Sequence, residues 1–450
     1  MTHFTAAVVL AAGLGTRMKS ARPKVMHAVG GRPLVNHLLA TLAEVDVARC
    51  VVVIGPDMPE VAKAVAPHAT AIQSDRLGTG HAVLQAKPAL AGFAGDILVA
   101  YGDTPFVNAA SFRKMLAARA APDAPAVVVL GFEPADPGGY GRLVVGRDGL
   151  ERIVEAKDAT ADELRVRRCN SGIMLIDGRH AWALIDRIDR NNAKGEYYLT
   201  DVVRHARSQD LRCAVVDGDE AELLGINSRV ELAAAEKLFQ DRARLRAMEN
   251  GATLTDPATV FFSADTQIGK DVEIGPFVVF GPGVRVADNV TIRSHCHIEG
   301  ARIDAGAIVG PFARLRPGAV IGVDAHVGNF VEVKNAALDA GAKVNHLTYI
   351  GDARVGAGAN VGAGTITATY DGYNTSFTDI GAGASIGSNS VLVAPVKIGD
   401  RAITGAGAVV RHDVPADALA VSGGKQQTIA GFAPKYRARK QAEKDAKRGK

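Results

Sequence analysis

Two groups of residues in this 450-residue chain have the types and spacing to do chemistry. The first is the stretch VVLAAGLGTRMKSARPK, from Val8 to Lys24. An apolar run stops at Gly13, Gly15 follows, and Thr16, Arg17, Lys19 and Lys24 come next. Backbone N–H groups of such a turn can cradle phosphate, and cations beside it can neutralise a polyphosphate. A dinucleotide loop requires G-x-G-x-x-G, and its third glycine position is Met18 here; the P-loop pattern G-x-x-x-x-G-K-[ST] is absent as well. Taken by itself, the stretch is equally a tight turn with solvated lysines. In LVAYGD, Asp103 ends a predicted strand, the edge where open α/β sheets bind ligands. A carboxylate facing a phosphate loop suits Mg²⁺, a hard cation shared between protein oxygens and substrate phosphates.

The second group lies far downstream, in FARLRPG, HVGNFVEVK, VNHLTYIGD and ANVGAGT. These segments carry Arg316, Glu332, Lys334, His346, Tyr349 and Asn360 at similar places on successive turns of a repeat. A lone histidine on such a scaffold is usually a surface residue; two cations, a carboxylate and a tyrosine around it make His346 a candidate for chemistry. His295 and His297 of HCH invite a metal reading. Alternate residues of an extended segment share a face, so at most these two converge, and the expectation is a structural role.

The elements that position these groups have two grammars. Residues 1–250 hold 21 of the 49 glycines and residues 251–450 hold 28. In the first half TAAVVLAAG, CVVVIG, DILVAYGD and AVVVLGF read as strands buried on both faces, alternating with helical stretches such as LVNHLLATLAEV and SFRKMLAARA. That alternation predicts a doubly wound, Rossmann-like α/β domain over 1–228. A glycine-free, helix-forming stretch over 229–250 predicts a linker helix. Beyond it aliphatic residues recur every six positions, through Ile268, Ile274, Phe280, Val286, Ile292 and Ile298 and onward to Ile398, with occasional five-residue steps. No helix or ordinary strand has that period; hexads of this kind predict a parallel β-helix, placed at 251–432. The insertion TATYDGYNTSFTD interrupts the period and predicts a projecting loop.

Composition excludes some classes. Formal net charge is +4, and the tail KYRARKQAEKDAKRGK alone carries eight basic against two acidic residues, so nucleic acid is not indicated. The tail, 433–450, is expected to be disordered. Cys50, Cys169, Cys213 and Cys296 show no paired spacing for zinc or disulfides. No stretch reaches the roughly 20 apolar residues of a membrane helix, and the N-terminus lacks a basic leader region.

LAAGLGTRM with Lys24, then LGTGHA, YGD, GYGR, VEAKDA, CNSGI, GEYYLTD and GINSR occur in the order seen in sugar-1-phosphate nucleotidyltransferases. With the hexapeptide half, the chain from about residue 5 to 432 resembles the bifunctional GlmU family of bacteria. That resemblance implies a left-handed β-helix and two activities. One is acetyl transfer from acetyl-CoA to glucosamine-1-phosphate; the other is Mg²⁺-dependent uridylyl transfer from UTP to N-acetylglucosamine-1-phosphate. It implies that Leu10, Ala11, Ala12, Gly13 and Lys24 hold the nucleotide, with Tyr101 and Gly102 beside Asp103. Gln73, Gly78 and Thr79 would read the uracil, and Gly141, Glu155 and Asn170 would hold the sugar. Asp103 and Asn227 would bind Mg²⁺, and Arg17 and Lys24 would offset repulsion between anionic reactants.

For the second activity it implies His346 as the base that deprotonates the amino sugar, since imidazoles titrate near neutrality. Arg316 and Lys334 would hold the sugar phosphate, Tyr349 and Asn360 would position the sugar, and Glu332 would orient His346 or the amine. Ala363, Ser388 and Ala406, with Thr369, Tyr370 and Lys425, would meet acetyl-CoA, with N–H groups near Ala363 serving the oxyanion. Thr369 stands where the family commonly has asparagine, and Gly423 where it has arginine, so the coenzyme site departs from the pattern. A homotrimer, a cytoplasmic location and no membrane insertion are further implications. Three other readings stay open on residues alone: a nucleotidyltransferase whose β-helix only regulates, a non-catalytic scaffold, and a β-helix carbonic anhydrase using His295, His297, His326 and His346.

Overall fold

Strands made of uninterrupted apolar residues need cover on both faces, and the N-terminal unit supplies it. The structure, a computed structural model, describes residues 4–45, 47–423 and 430–448, and the chain divides into two units, Met1–Ala243 and Arg244–Lys450. In the first, the sheet order is Cys213–Asp217, Val127–Phe132, Cys169–Ile176, Asp96–Tyr101, Thr5–Leu10, Arg49–Ile54 and Ala69–Ile72. Neighbours are parallel except at Cys169–Ile176, which runs antiparallel to both sides and also pairs with the hairpin strand Arg142–Gly146. This reversed strand is an addition to the doubly wound pattern, and two apolar clusters cover the two sheet faces. Helix Leu34–Ala43 buries Leu34, Val35, Leu38, Leu39 and Leu42, one stripe at helical spacing. Helix Ala109–Arg119 starts at Asn108, whose side chain accepts from the Ser111 N–H at 2.8 Å.

The functional edge follows from strand order. Thr5–Leu10 is flanked by Arg49–Ile54 on one side and Asp96–Tyr101 on the other, so the chain leaves the central strand in opposite directions and opens a crevice at the carboxyl ends. Leu10 and Tyr101 lie directly opposite there, and the Gly102 N–H donates to the Leu10 carbonyl at 3.0 Å. At the other end of the sheet Arg119 pairs with Asp96 and Asp177, all three nearly fully buried.

Helix Arg229–Glu249 occupies the expected linker region. Among the described residues of the second unit the β-helix strands pair in parallel, and an antiparallel bridge joins Tyr370 to Thr375 in the projecting loop. Glu273 lies opposite Thr291, Thr291 opposite Ile308, and Ile308 opposite His326, so one coil takes 17 or 18 residues, three hexads with an occasional short one. The architecture is the parallel β-helix expected from the hexads, of the left-handed class that the resemblance implied. Hexad residues from Ile274 onward are buried, while Ile268 in the first coil is half-exposed. Each such Ile, Val or Leu contributes about 1.5–3 kcal/mol by leaving water. Asn360 lies opposite Ser385, an advance of 25, and the surplus lies within TATYDGYNTSFTD, whose two ends stay in the ladder as parts of strands Ile366–Ala368 and Thr378–Ile380. His295 is stacked between Phe277 and Phe312 (centroids 4.9 and 4.7 Å), and Phe330 follows at 5.2 Å, so this histidine is one rung of an aromatic corner ladder. Among the described residues no group of three or more His, Cys, Asp or Glu could hold a metal.

The tail corrects one expectation. Phe432–Arg448 is a helix where disorder was expected. Alanine, lysine, arginine, glutamine and glutamate favour helix, no β-branched residue intervenes, and Pro434 falls in the first turn where proline is tolerated.

Candidate active sites

The phosphate-loop candidate is built at the crevice. Ala11 and Ala12 are buried at the end of Thr5–Leu10, with the Ala11 N–H donating to the Val53 carbonyl at 2.8 Å. A Cβ placed on Gly13 would meet nothing within 4 Å, so the backbone there is open to a ligand. Gly15 is different. It is in the left-handed region (φ 63°), and a Cβ there would lie 2.5 Å from Lys24 Cβ. Glycine at 15 therefore lets Lys24 cross beneath the loop.

Lys24 is the centre of the site. Its ammonium contacts Asp103 and donates to Asn227 Oδ1 at 3.0 Å. Backbone pins the two partners together, because the Ile226 N–H donates to the Asp103 carbonyl at 3.0 Å. The Asp103–Asn227 pair thus already holds a cation in this structure. Oxygen donors of this hardness fit Mg²⁺ as well. Arg17 is exposed on the short turn Thr16–Met18.

Around it, Gln73 is buried, and its Nε2 donates to the Gly78 carbonyl at 3.1 Å and lies 3.2 Å from His81 Nδ1. Gly78 has φ 116°, and a Cβ there would strike the Tyr197 carbonyl at 2.6 Å. The Thr79 hydroxyl accepts from the Leu199 N–H and hydrogen-bonds Tyr101, whose phenol is pushed upward first by burial and then by Glu155 and Asp103. The Asn170 N–H donates to the Gly141 carbonyl at 2.8 Å. Glu155 accepts from the Thr200 hydroxyl at 3.4 Å; burial raises its carboxyl pKa, opposed by Lys194 and Thr200.

Two supporting residues were not singled out from the sequence. Arg76 Nε donates to the Ala12 carbonyl at 2.8 Å and braces the loop. Glu222 accepts from Asn108 and from the Ser111 hydroxyl, tying the segment after Asp103 to the segment before Asn227. Arg76 sits inside the motif QSDRLGTG and was legible there; Glu222 had no local signal.

In the β-helix the candidates fall on two sides of one corner. Glu332 lies opposite Tyr349 on the next coil, and Arg316 pairs with Glu332 at 2.8 Å. Lys334 pairs with Asp352 at 3.3 Å, and buried Asp352 also accepts from Asn335 at 2.7 Å. Tyr349 folds its hydroxyl over Gly351, where a Cβ would lie 2.3 Å from it. On the other side of the corner, exposed His346 lies opposite Asn329, with Nδ1 2.8 Å from Asn329 Oδ1. Asn329, and not Glu332, therefore contacts the ring; sequence reasoning missed it because the two are one coil apart. Asn360 lies opposite Lys343, three residues short of His346, so the set is less aligned than its spacing suggested.

Ala363, Ser388 and Ala406 rise in one row beyond His346. The Gly364 N–H reaches the His346 carbonyl (3.3 Å), the Asn389 N–H reaches Ala363 (2.7 Å), and the Gly407 N–H reaches Ser388 (2.7 Å). Thr369 and Tyr370 are not in that row. They follow Ile366–Ala368 at the next corner, Thr369 buried and Tyr370 exposed on the projecting loop. Lys425 lies outside the described residues.

Strand-end loops that gather a lysine, a carboxylate and an amide, in one chain with a hexapeptide β-helix, define a nucleotidyltransferase joined to a hexapeptide transferase. Family comparison agrees: the MobA-like NTP transferase domain matches residues 7–168, and the bacterial transferase hexapeptide (six repeats) matches 265–300 and 377–412. The chain is 62% identical to the bifunctional protein GlmU of Paramagnetospirillum magneticum over 98% of both chains. It is 61% identical to that of Rhodospirillum rubrum, over 96% of this chain and 97% of the relative. Against that of Sphingopyxis alaskensis identity is 54%, over 97% of both. The chain belongs to the bifunctional GlmU family.

Proposed function

We propose that the chain makes UDP-N-acetylglucosamine in two steps, one at each site, supplying precursor for peptidoglycan and lipopolysaccharide. The observation that carries this reading is the match to bifunctional relatives along nearly the whole of both chains. It speaks against a β-helix that only regulates and against a non-catalytic scaffold.

In the first step the amino nitrogen of glucosamine-1-phosphate attacks the acetyl-CoA carbonyl. A C–N bond forms, the C–S bond breaks, and the amine proton passes to His346 and on to the leaving thiolate. Arg316 and Lys334 hold the sugar phosphate once it competes for them with Glu332 and Asp352; Tyr349 and Asn360 position the sugar. The row Ala363–Ser388–Ala406 offers small residues along which the coenzyme lies. Thr369 and Tyr370 sit at another corner, so their coenzyme role requires a second copy of the chain, as in a homotrimer.

In the second step a phosphate oxygen of N-acetylglucosamine-1-phosphate attacks the α-phosphorus of UTP, and pyrophosphate leaves. The attacking phosphate is already ionised, so no base is needed. Lys24 and Arg17 draw in the triphosphate, Gln73 and the Gly78–Thr79 turn read the uracil, and Gly141, Glu155 and Asn170 hold the sugar. Mg²⁺ held by Asp103 and Asn227 would supply neutralisation of charge on the pyrophosphoryl group. Use of UTP and acetyl-CoA as co-substrates supports a cytoplasmic location.

The test is purified protein with Mg²⁺, assayed for thiol release from acetyl-CoA and glucosamine-1-phosphate, and for pyrophosphate release from UTP and N-acetylglucosamine-1-phosphate. Both signals are expected. Pyrophosphate without thiol would overturn the two-step reading, and light scattering that shows a monomer would remove the shared coenzyme site.

A further inference from the structure

A histidine acts as a base only through the nitrogen that lacks a proton, so its neighbour at the other nitrogen decides whether it is ready. This inference rests on the reading of His346 as the acetyl-transfer base. Nδ1 of His346 is 2.8 Å from Asn329 Oδ1. The coil itself builds this contact. Strands His326–Asn329 and Lys343–His346 are parallel neighbours with Asn329 and His346 directly opposite, and adjacent strands stand only about 4.8 Å apart. Both backbones are pinned: the Leu347 N–H donates to the Asn329 carbonyl at 3.0 Å, and the Thr348 hydroxyl donates to the His346 carbonyl at 2.6 Å. Glu332, three residues after Asn329, is engaged with Arg316 at 2.8 Å.

We propose that Asn329 is the positioning residue of the acetyl-transfer site. Its Oδ1 accepts the Nδ1–H of His346, which fixes the tautomer and leaves the Nε2 lone pair to take the proton of the amino sugar. An amide does this without adding charge. A carboxylate in its place would favour the imidazolium and hold the base protonated over more of the neutral range. The titratable groups nearest the pair are His326 on the strand of Asn329 and Lys343 on the strand of His346, with Arg293 behind His326; the coil beyond presents Asn360, Ala363 and Gly364, which do not titrate. None of these is a carboxylate, so Asn329→Asp sets against the ring a negative charge that none of these groups supplies.

The experiment compares Asn329→Ala, Asn329→Asp and His346→Ala in the full chain, following thiol release from acetyl-CoA and glucosamine-1-phosphate against pH. Pyrophosphate release by the same samples reports intact folding. Asn329→Ala is expected to lower kcat about 10–100-fold, the usual scale for a residue orienting a functional histidine, with little change in KM. Asn329→Asp is expected to move the acidic limb of the profile up by about 1 pH unit. Wild-type kcat in Asn329→Ala, or an unmoved limb in Asn329→Asp, overturns the proposal. His346→Ala separates the two levels: if it keeps acetyl transfer, the base reading fails; if it loses acetyl transfer while both Asn329 variants behave as wild type, the positioning role alone fails.

Discussion

Replacing Lys24 with methionine should make the free protein bind a divalent cation more tightly. In the structure the Lys24 ammonium lies between Asp103 and Asn227, the two groups assigned to the metal. A metal ion entering without nucleotide must displace that ammonium. A hydrogen bond to a charged group contributes about 1.5–3 kcal/mol. The side chains of Lys24 and Asp103 are only 14% and 19% exposed, so water screens the contact weakly. Methionine retains most of the length and removes the charge. A gain of about 1.5–3 kcal/mol is a fall of about 10- to 100-fold in the Kd for Mn²⁺. The assay is titration of the free Mn²⁺ paramagnetic signal, first with protein alone and then with a non-hydrolysable UTP analogue. In the wild type the analogue should tighten Mn²⁺ binding strongly, because its phosphates attract Lys24 away from Asp103; in Lys24→Met that enhancement should shrink. An unchanged or weaker Mn²⁺ Kd in the variant without nucleotide would refute the competition.

The two sites should fail separately: Asp103→Ala loses pyrophosphate release and keeps thiol release, and His346→Ala does the reverse, so joint loss in a folded variant would refute the division. Leu315, fully buried in its coil, should cost about 2–5 kcal/mol when cut to alanine; acetyl transfer should then disappear at lower urea concentration than in the wild type, and an unmoved midpoint would deny it a core position. Burial would raise the carboxyl pKa of Asp177, but hydrogen bonds from Arg179 and the charges of Arg119 and Arg179 bring it down from 3.8 to about 2. A depressed carboxyl stabilises the fold above its unfolded pKa and loses that contribution as pH falls through the folded one. Asp177→Asn should therefore cost about 2 kcal/mol at neutral pH, measured by urea unfolding, with the deficit vanishing between pH 4 and 2; a pH-independent deficit would refute the linkage.

Much of the fold is legible in the sequence. Apolar runs such as DILVAY and VVVLGF are legible because a strand covered on both faces has no polar side to interrupt it. The hexads are legible because one residue in six must point into a narrow column. The reversed strand CNSGIMLI was visible only as a motif, since strand direction leaves no trace in composition. The contact of Asn329 with His346 depends on the length of a coil, and Asn329 has no special neighbours in sequence. Lys24 was legible as a phosphate ligand, yet its placement between Asp103 and Asn227 depends on residues 79 and 203 positions away. The helical tail was misread because the same charged, alanine-bearing composition serves a helix and a solvated chain alike.

The coil-by-coil register of the β-helix has a mechanical consequence. Each coil touches only the one before and the one after, so cohesion adds up along a line as in a stack, and fraying starts at the ends. The strand that carries His346 is the sixth of ten on its face. Amide hydrogens should therefore exchange fastest near residues 253 and 420 and slowest around 344, and the acetyl-transfer machinery rides on the stretch of the stack that opens last.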